Sequence, residues 1–305
     1  MIKIIKYHQI DFQKYNVCIG NCFQNSDFAE KMFLDIVANF NWLILILNDY
    51  EAVMPVPYVH KFGIPFVVMP KLCLQLGIFS KEDHPKINRL FYDFLNQNFL
   101  VASYSFNPGN KFEIETSQKV SYILNKNKYE EIRNNYSKNR RRNVKITDEL
   151  RAEISFVKDV NKKVETFIFR NLKGTKDKNE SQRYFQIFTQ LLNQNIGKAY
   201  ILEFKNNIQS FVYNFIGKKN IYLSLFVNNS SKQNSNFPSL LIDHILIDFI
   251  EEKNFDFVGS ELENVARFNE RFGAVSYNYS VIKNSKTTLF KKLLTSYKII
   301  SNFAS

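Results

Sequence analysis

The chain has 305 residues, a net charge of +12, 45% hydrophobic residues and 23% charged ones. That length accommodates about two domains, and that composition builds packed cores and excludes a disordered polymer. The longest unbroken apolar run, Trp42 to Leu47, falls far short of the ~18 residues that a membrane span needs. The first residues, Met1-Ile-Lys-Ile-Ile-Lys, lack the long apolar core of a secretion signal. Three cysteines, Cys18, Cys22 and Cys73, are too few for a disulfide framework. Together these features predict a cytoplasmic protein with free thiols.

In chain order, a strand is expected at Ile2–Lys6. A helix follows near Asp27–Phe40, with Phe28, Met32, Phe33, Ile36, Val37 and Phe40 on one face. Three strand-like runs come next, Trp42–Leu47, Glu51–Val59 and Ile64–Met69, divided by the turn signals Asn48-Asp49-Tyr50 and Lys61-Phe62-Gly63. A helix near His84–Asn98 and a strand at Phe99–Tyr104 complete the first series. The segment 126–150 carries a basic block, in which Tyr129, Ile132 and Tyr136 suit the inner side of a helix and the arginines project outward.

The same series then recurs. A helix is expected at Ser181–Asn195, strands at Lys198–Phe204, Ile208–Phe215 and Ile221–Val227, a helix at Ser239–Lys253 and a strand at Phe255–Val258. At one constant offset Asn48-Asp49 falls on Asn206-Asn207, Glu51 on Gln209, Val53 on Phe211 and Lys61 on Lys219. The repeated order predicts an α/β chain with mixed sheets and two similar domains, 1–150 and 151–305.

Charge is concentrated in two places. Residues 126–145 hold Lys126, Lys128, Arg133, Lys138, Arg140, Arg141, Arg142 and Lys145 against Glu130 and Glu131; residues 281–305 hold five lysines and no acid. Such clusters suit a phosphate-bearing partner, because neutralised phosphates release counterions.

Three stretches, at Asp49–Pro57 with Gln75–Ser80, at Tyr136–Lys145 and at Phe255–Ser260 with Ala266–Ala274, resemble the Fem family of peptidoglycan-bridge aminoacyltransferases and, more broadly, FemAB-like proteins built from two GNAT acyltransferase domains. The first is Asp49-Tyr50-Glu51-Ala52-Val53-Met54-Pro55-Val56-Pro57 with Gln75-Leu76-Gly77-Ile78-Phe79-Ser80 downstream. Ser137-Lys138-Asn139-Arg140-Arg141-Arg142-Asn143-Val144-Lys145 is similar to a Fem-type pattern S-K-x-x-[RK]-x-N-[IV]-K. Phe255-Asp256-Phe257-Val258-Gly259-Ser260 and Arg267-Phe268 through Arg271-Phe272-Gly273-Ala274 are similar to D-F-x-G-S and R-F-x-x-x-F-G-A. The resemblance implies tandem GNAT-like domains, acyl transfer to an amine and an aminoacyl-tRNA donor, with no tightly bound cofactor. It further implies a phosphate contact for Arg141, with a solvated helix face as the alternative. It places Gln75 in a family signature, with satisfaction of backbone groups at the domain junction as the alternative; Lys138 and Arg267 join them as candidate substrate contacts.

One departure bears on the donor. Acyl-CoA-dependent GNAT domains cradle the pyrophosphate in a Gly-rich loop before the helix that follows the meander. Here Asn228 to Pro238 contains no glycine, and the matching region of the first half has only Gly77. Pro238-Ser239 still makes a helix start at which an anion could sit.

Acyl transfer needs a deprotonated amine, donors for the oxyanion and a proton for the leaving group. These fit a gap between Ile221–Val227 and Phe255–Gly259, where two parallel strands diverge. Nearby are Tyr222, Ser224, Asp256, Ser260, Glu261 and Arg267, of which Tyr222, Asp256 and Glu261 are the candidate catalytic groups. Each also has a structural alternative: a strand aromatic, a loop-holding carboxylate and a helix-start acid. An arginine at 267 among Val265, Ala266, Phe268 and Phe272 would, if buried, demand an anionic partner. Cys18 and Cys22 fail as a metal site, His244 reads as a packed or surface histidine, and G-x-S-x-G, H-E-x-x-H and P-loop patterns are absent. The expected activity is N-acyl transfer. The competing readings are an acyl-CoA-dependent N-acetyltransferase and a non-catalytic module that binds nucleic acid or an anionic ligand.

Overall fold

The computed structural model of the chain describes residues 1–149, 152–229, 236–259 and 262–295. Met1–Lys119 and the chain from Asn278 on form one compact unit, and Val120–Tyr277 form the other. The units thus part at 119/120 and 277/278, where the sequence reading divides the chain at 150/151. The physical reason lies in the basic segment, whose Tyr136 and Val144 are buried in the core of the second unit.

In the first unit, β1 (Ile2–Ile5), β2 (Trp42–Leu47), β3 (Ala52–Lys61) and β4 (Ile64–Val67) pair antiparallel in that order, and β5 (Phe79–Ser80) also pairs with β3. The run Trp-Leu-Ile-Leu-Ile-Leu of β2 lies between β1 and β3 and is buried along nearly its whole length. Lys61 pairs with Ile64, so Phe62 (φ 53°) and Gly63 (φ 75°) form the two-residue turn with positive φ that strand twist favours. Helix α1 (Phe12–Gly20) starts at Asp11, whose carboxylate accepts from the amides of Gln13 and Lys14.

The helix expected over Asp27–Phe40 is divided. A 3-10 turn covers Asp27–Ala29, Glu30 is extended, and α2 runs from Lys31 to Val37. The buried Tyr15 hydroxyl donates to the Ala29 carbonyl at 2.5 Å, which takes that carbonyl out of a helical ladder. After α3 (Pro85–Asn98) the chain returns beside β4. Val101 bridges Val67 in parallel, with the Val67 amide donating to the Leu100 carbonyl and the Ala102 amide to the Val67 carbonyl. Strand β6 (Ser103–Ser105) then pairs with Val281–Lys283.

The second unit carries the larger part of the other sheet. β7 (Ser117–Leu124) leads into α4 (Tyr129–Asn134) and α5 (Lys138–Glu149). β8 (Glu153–Val157), α6 (Lys162–Asn171) and α7 (Lys178–Asn193) precede the meander β9 (Gly197–Phe204), β10 (Asn207–Ile216) and β11 (Asn220–Asn228). Then come α8 (Phe237–Phe249), β12 (Asn254–Asp256), α9 (Glu263–Glu270) and β13 (Val275–Lys283), the last of which crosses into the first unit. The strand order is β7-β12-β11-β10-β9-β8, antiparallel throughout except for β11 and β12.

One face of this sheet packs on α8, whose Leu240, Leu241, Ile242, Ile245 and Leu246 are all buried against Leu202, Val212, Ile221 and Leu223. On the other face, Phe188 of α7 meets Phe211 at 5.5 Å and Tyr213 at 5.9 Å. Each unit therefore contains the expected series of helix, three-strand meander, helix and a segment parallel to the third strand.

Candidate active site

In the second unit, β11 and β12 pair only from Asn220/Asn254 to Tyr222/Asp256. Opposite β10, Tyr213 pairs with Leu225 and Asn214 with Leu223, so Ser224 is the extra residue of a β-bulge. A bulge bends its strand and ends regular pairing. This one lies two residues past the last parallel pair, at the wedge where pairing between β11 and the chain leaving β12 stops. Phe226, two residues further, meets Phe268 of α9 at 6.3 Å.

Asp256 stands at the point of the wedge, 1% exposed. Ser121 Oγ donates to its Oδ1 at 2.8 Å and the Val258 amide to the same oxygen at 2.7 Å, while Tyr277 Oη donates to Oδ2 at 2.5 Å. Burial pushes its carboxyl up to about 6, against the opposing pull of these three donors. Val258 (φ 55°) and Gly259 (φ 60°) then turn the chain through the left-handed region. A Cβ on Gly259 would lie 2.8 Å from the Val120 carbonyl oxygen, so glycine is required there twice over.

Tyr222 is not free for proton transfer: it is 1% exposed, stacks on Phe215 at 5.5 Å and accepts a hydrogen bond from Asn220 Nδ2. The structure makes it a core aromatic. Glu261, with Ser260, lies outside the described residues. Arg267 is exposed and paired with Glu263 at 2.5 Å on the same helix, so the expected buried guanidinium is not there.

The buried arginine is Arg140, 2% exposed. Its guanidinium packs against the rings of Phe268 (4.2 Å) and Phe272 (4.0 Å), donates to the Phe268 carbonyl at 2.9 Å and bonds Ser239 Oγ in the first turn of α8. Burial, with the neighbouring Arg271, lowers its pKa to about 10. Locally the segment folds this way because Ser137 Oγ accepts from the Arg140 amide and so caps α5, turning Arg140 and Val144 inward. Lys138, Arg141, Arg142 and Lys145 then share the exposed side, a cationic stripe at helical spacing. Gln75 is buried in the first unit, 6% exposed, and belongs to no part of this wedge.

Sequence reasoning missed Ser121 and Tyr277, which reach Asp256 from other strands, and Asp243. The latter is the buried one of two carboxylates on α8, the other being Asp248; its Oδ1 accepts from Tyr129 Oη (3.0 Å) and Tyr136 Oη (2.8 Å) and its Oδ2 from Tyr129 Oη (2.9 Å). Asp243 and Tyr129 line a cavity of about 330 Å³ with Arg133, Val144, Ile154, Leu240 and His244. His244 is half-buried there, edge-on to Tyr200 at 6.2 Å. Among the described residues no group of three or more His, Cys, Asp or Glu is placed to hold a metal ion.

No family model and no curated protein matches the sequence. Solved structures do share its fold. FemX aligns with a TM-score of 0.61 at 7% identity, over 91% of this chain and 96% of that one. The tandem GNAT protein from the clavulanic acid biosynthesis pathway gives 0.53 at 8%, over 92% and 97%. L-PGS from Bacillus licheniformis gives 0.53 at 11%, over 95% and 97%. With a helix, meander, helix and parallel segment in each unit, the chain shares the fold of FemX and of the tandem GNAT protein.

Proposed function

We propose that the chain is an N-acyltransferase of the tandem GNAT, Fem-like kind, moving an activated acyl or aminoacyl group from a phosphate-bearing donor onto an amine. The observation that carries this reading is the wedge at Ser224 and Tyr222/Asp256. Attack of a neutral amine on an acyl carbon places negative charge on the carbonyl oxygen, and the β11 amides past Tyr222 are the donors for it. The amine then loses a proton and the departing oxygen gains one. Tyr277 serves as the proton-handling group, since its hydroxyl is half-buried on Asp256, while Asp256 positions that hydroxyl and the Val258–Gly259 turn.

The donor follows from charge. The loop before α8 has no glycine to admit a CoA pyrophosphate, whereas the α5 stripe of Lys138, Arg141, Arg142 and Lys145 offers a polyphosphate an extended contact. An aminoacyl-tRNA fits both features better than acyl-CoA does. Isothermal titration with acetyl-CoA is expected to give no micromolar binding, and labelled aminoacyl-tRNA to transfer its amino acid to an amine acceptor. Micromolar acetyl-CoA affinity, or unchanged tRNA binding when all four stripe residues are replaced by Ala, would overturn the donor assignment.

The burial of Tyr222 and Asp256 favours one alternative, a binding module without catalysis. Tyr277→Phe separates the two. If the enzyme reading holds, turnover drops by about a hundredfold, the scale of a lost general acid, with tRNA affinity retained.

A further inference from the structure

The second basic segment, at the C-terminal end of the described chain, is not used by the acyl-transfer reading. It contains α10 (Lys286–Thr295), which belongs to the first unit. Its inner side is fixed: Leu289, Lys292 and Leu293 are half-buried, and Lys292 Nζ donates to the carbonyls of Asn96 and Phe99 at the end of α3. A cation there meets the negative end of the α3 dipole and satisfies carbonyls that the helix leaves open. Burial lowers the pKa of this lysine, but its place in the fold is set by those two bonds.

The outer side is the unusual one. Phe290 is 61% exposed and Leu294 66%, four residues apart and therefore adjacent on the helix surface. Lys283, Lys286 and Lys291 are exposed around them, and no acidic residue occurs from 281 to 305. Attraction to phosphate accounts for the lysines but not for two adjacent large apolar side chains among them. Apolar side chains flanked by lysines are the pattern of a helix lying in the boundary between lipid headgroups and acyl chains. Negative lipid attracts the lysines, whose aliphatic stems reach past the apolar contacts to the phosphates.

We propose that α10 docks the protein on an anionic lipid surface, Phe290 and Leu294 entering the bilayer boundary and Lys283, Lys286 and Lys291 contacting headgroup phosphates. The occupant is a membrane surface rather than RNA, because charge explains the lysines alone whereas lipid explains the apolar pair as well. This binding is separate from acyl transfer in the second unit.

The test is co-sedimentation of the full chain with vesicles, one set of phosphatidylglycerol mixed equally with phosphatidylcholine and one of phosphatidylcholine alone. Binding is expected to the first set only and to weaken as salt rises. Phe290→Ser with Leu294→Ser is expected to reduce vesicle affinity at least tenfold, as is Lys283→Glu with Lys286→Glu. All four positions are exposed, so thermal melting of both variants should match that of the unaltered chain. In a Phe290→Trp variant the emission should shift to the blue on adding the anionic vesicles. Equal binding to both vesicle sets, absence of binding, or full binding by the Phe290→Ser/Leu294→Ser variant overturns the proposal. So does a higher affinity for a mixed-sequence RNA that the two serine substitutions leave unchanged.

Discussion

Asp256 shows what a buried carboxylate does to a fold when its partners are hydroxyls and an amide rather than a cation. Its folded pKa of about 6 lies above that of the unfolded chain. Between pH 4 and 6 the native state therefore holds a proton that the unfolded state has released, and stability falls as pH rises through that window. A two-unit difference corresponds to about 3 kcal/mol. Denaturant titrations of the chain and of Asp256→Asn should show their stability difference changing by about that amount across this window, with a flat difference above pH 7. A difference that does not change with pH would remove Asp256 as a titrating buried group.

Arg140 offers a second residue-scale case, because two aromatic faces and two oxygens are matched to a planar guanidinium. Arg140→Lys keeps the charge but loses the flat fork, and is expected to cost about 3 kcal/mol in chemical denaturation. Arg141→Ala, on the exposed side of the same helix, should change stability by less than about 0.5 kcal/mol.

At the scale of elements, the bulge in β11 and the left-handed turn after β12 together make the wedge. Gly259→Ala puts a methyl group 2.8 Å from the Val120 carbonyl oxygen at a φ of 60°. The backbone strain alone costs ~1 kcal/mol or more, and the contact adds to it. Gly174→Ala shares a positive φ (82°) but meets nothing within 4 Å, so it isolates the strain. Thermal denaturation should rank Gly259→Ala well below Gly174→Ala, and the proposed acyl transfer should be lost only in the former.

The elements also differ in how far the sequence declared them. Strand β2 and helices α3 and α8 were readable because their apolar residues follow one period or fill an unbroken buried run. Strand β8 was not: only Val157 among its five residues is buried, so it carries little of the alternation that marks a strand. Within the site, Asp256 and its turn were legible from local pattern. Arg140 was not distinguishable from Arg141 and Arg142, since the rings that select it lie beyond residue 267 and only folding brings them near. Ser121 and Tyr277 were invisible for the same reason, being joined to Asp256 by strand pairing over long separations.

For the whole molecule, the duplicated order of elements was readable but the partition of the chain was not, because order is local and partition depends on where the last strands return. The second unit is one continuous stretch, Val120–Tyr277, and holds its own core around α8. The first unit is assembled from both ends of the sequence. It needs Val281–Lys283 to pair with β6, the Ser280 carbonyl to accept from the Phe106 amide, and Asn284 to bond the Val101 and Ala102 carbonyls. A fragment of residues 1–150 therefore lacks the strand that completes its sheet and leaves those groups unpaired, at a cost of ~1–3 kcal/mol for each one buried. It also carries α4 and α5 without the α8 face that Ile132, Tyr136 and Val144 pack on. Residues 120–277 expressed alone are expected to unfold cooperatively in urea with dispersed amide signals, while residues 1–150 give no cooperative transition. Cooperative unfolding of 1–150, or its failure in 120–277, would show that the units divide elsewhere. A fragment of 120–277 that also binds tRNA would further place the polyphosphate contact within the unit that carries both α5 and the wedge.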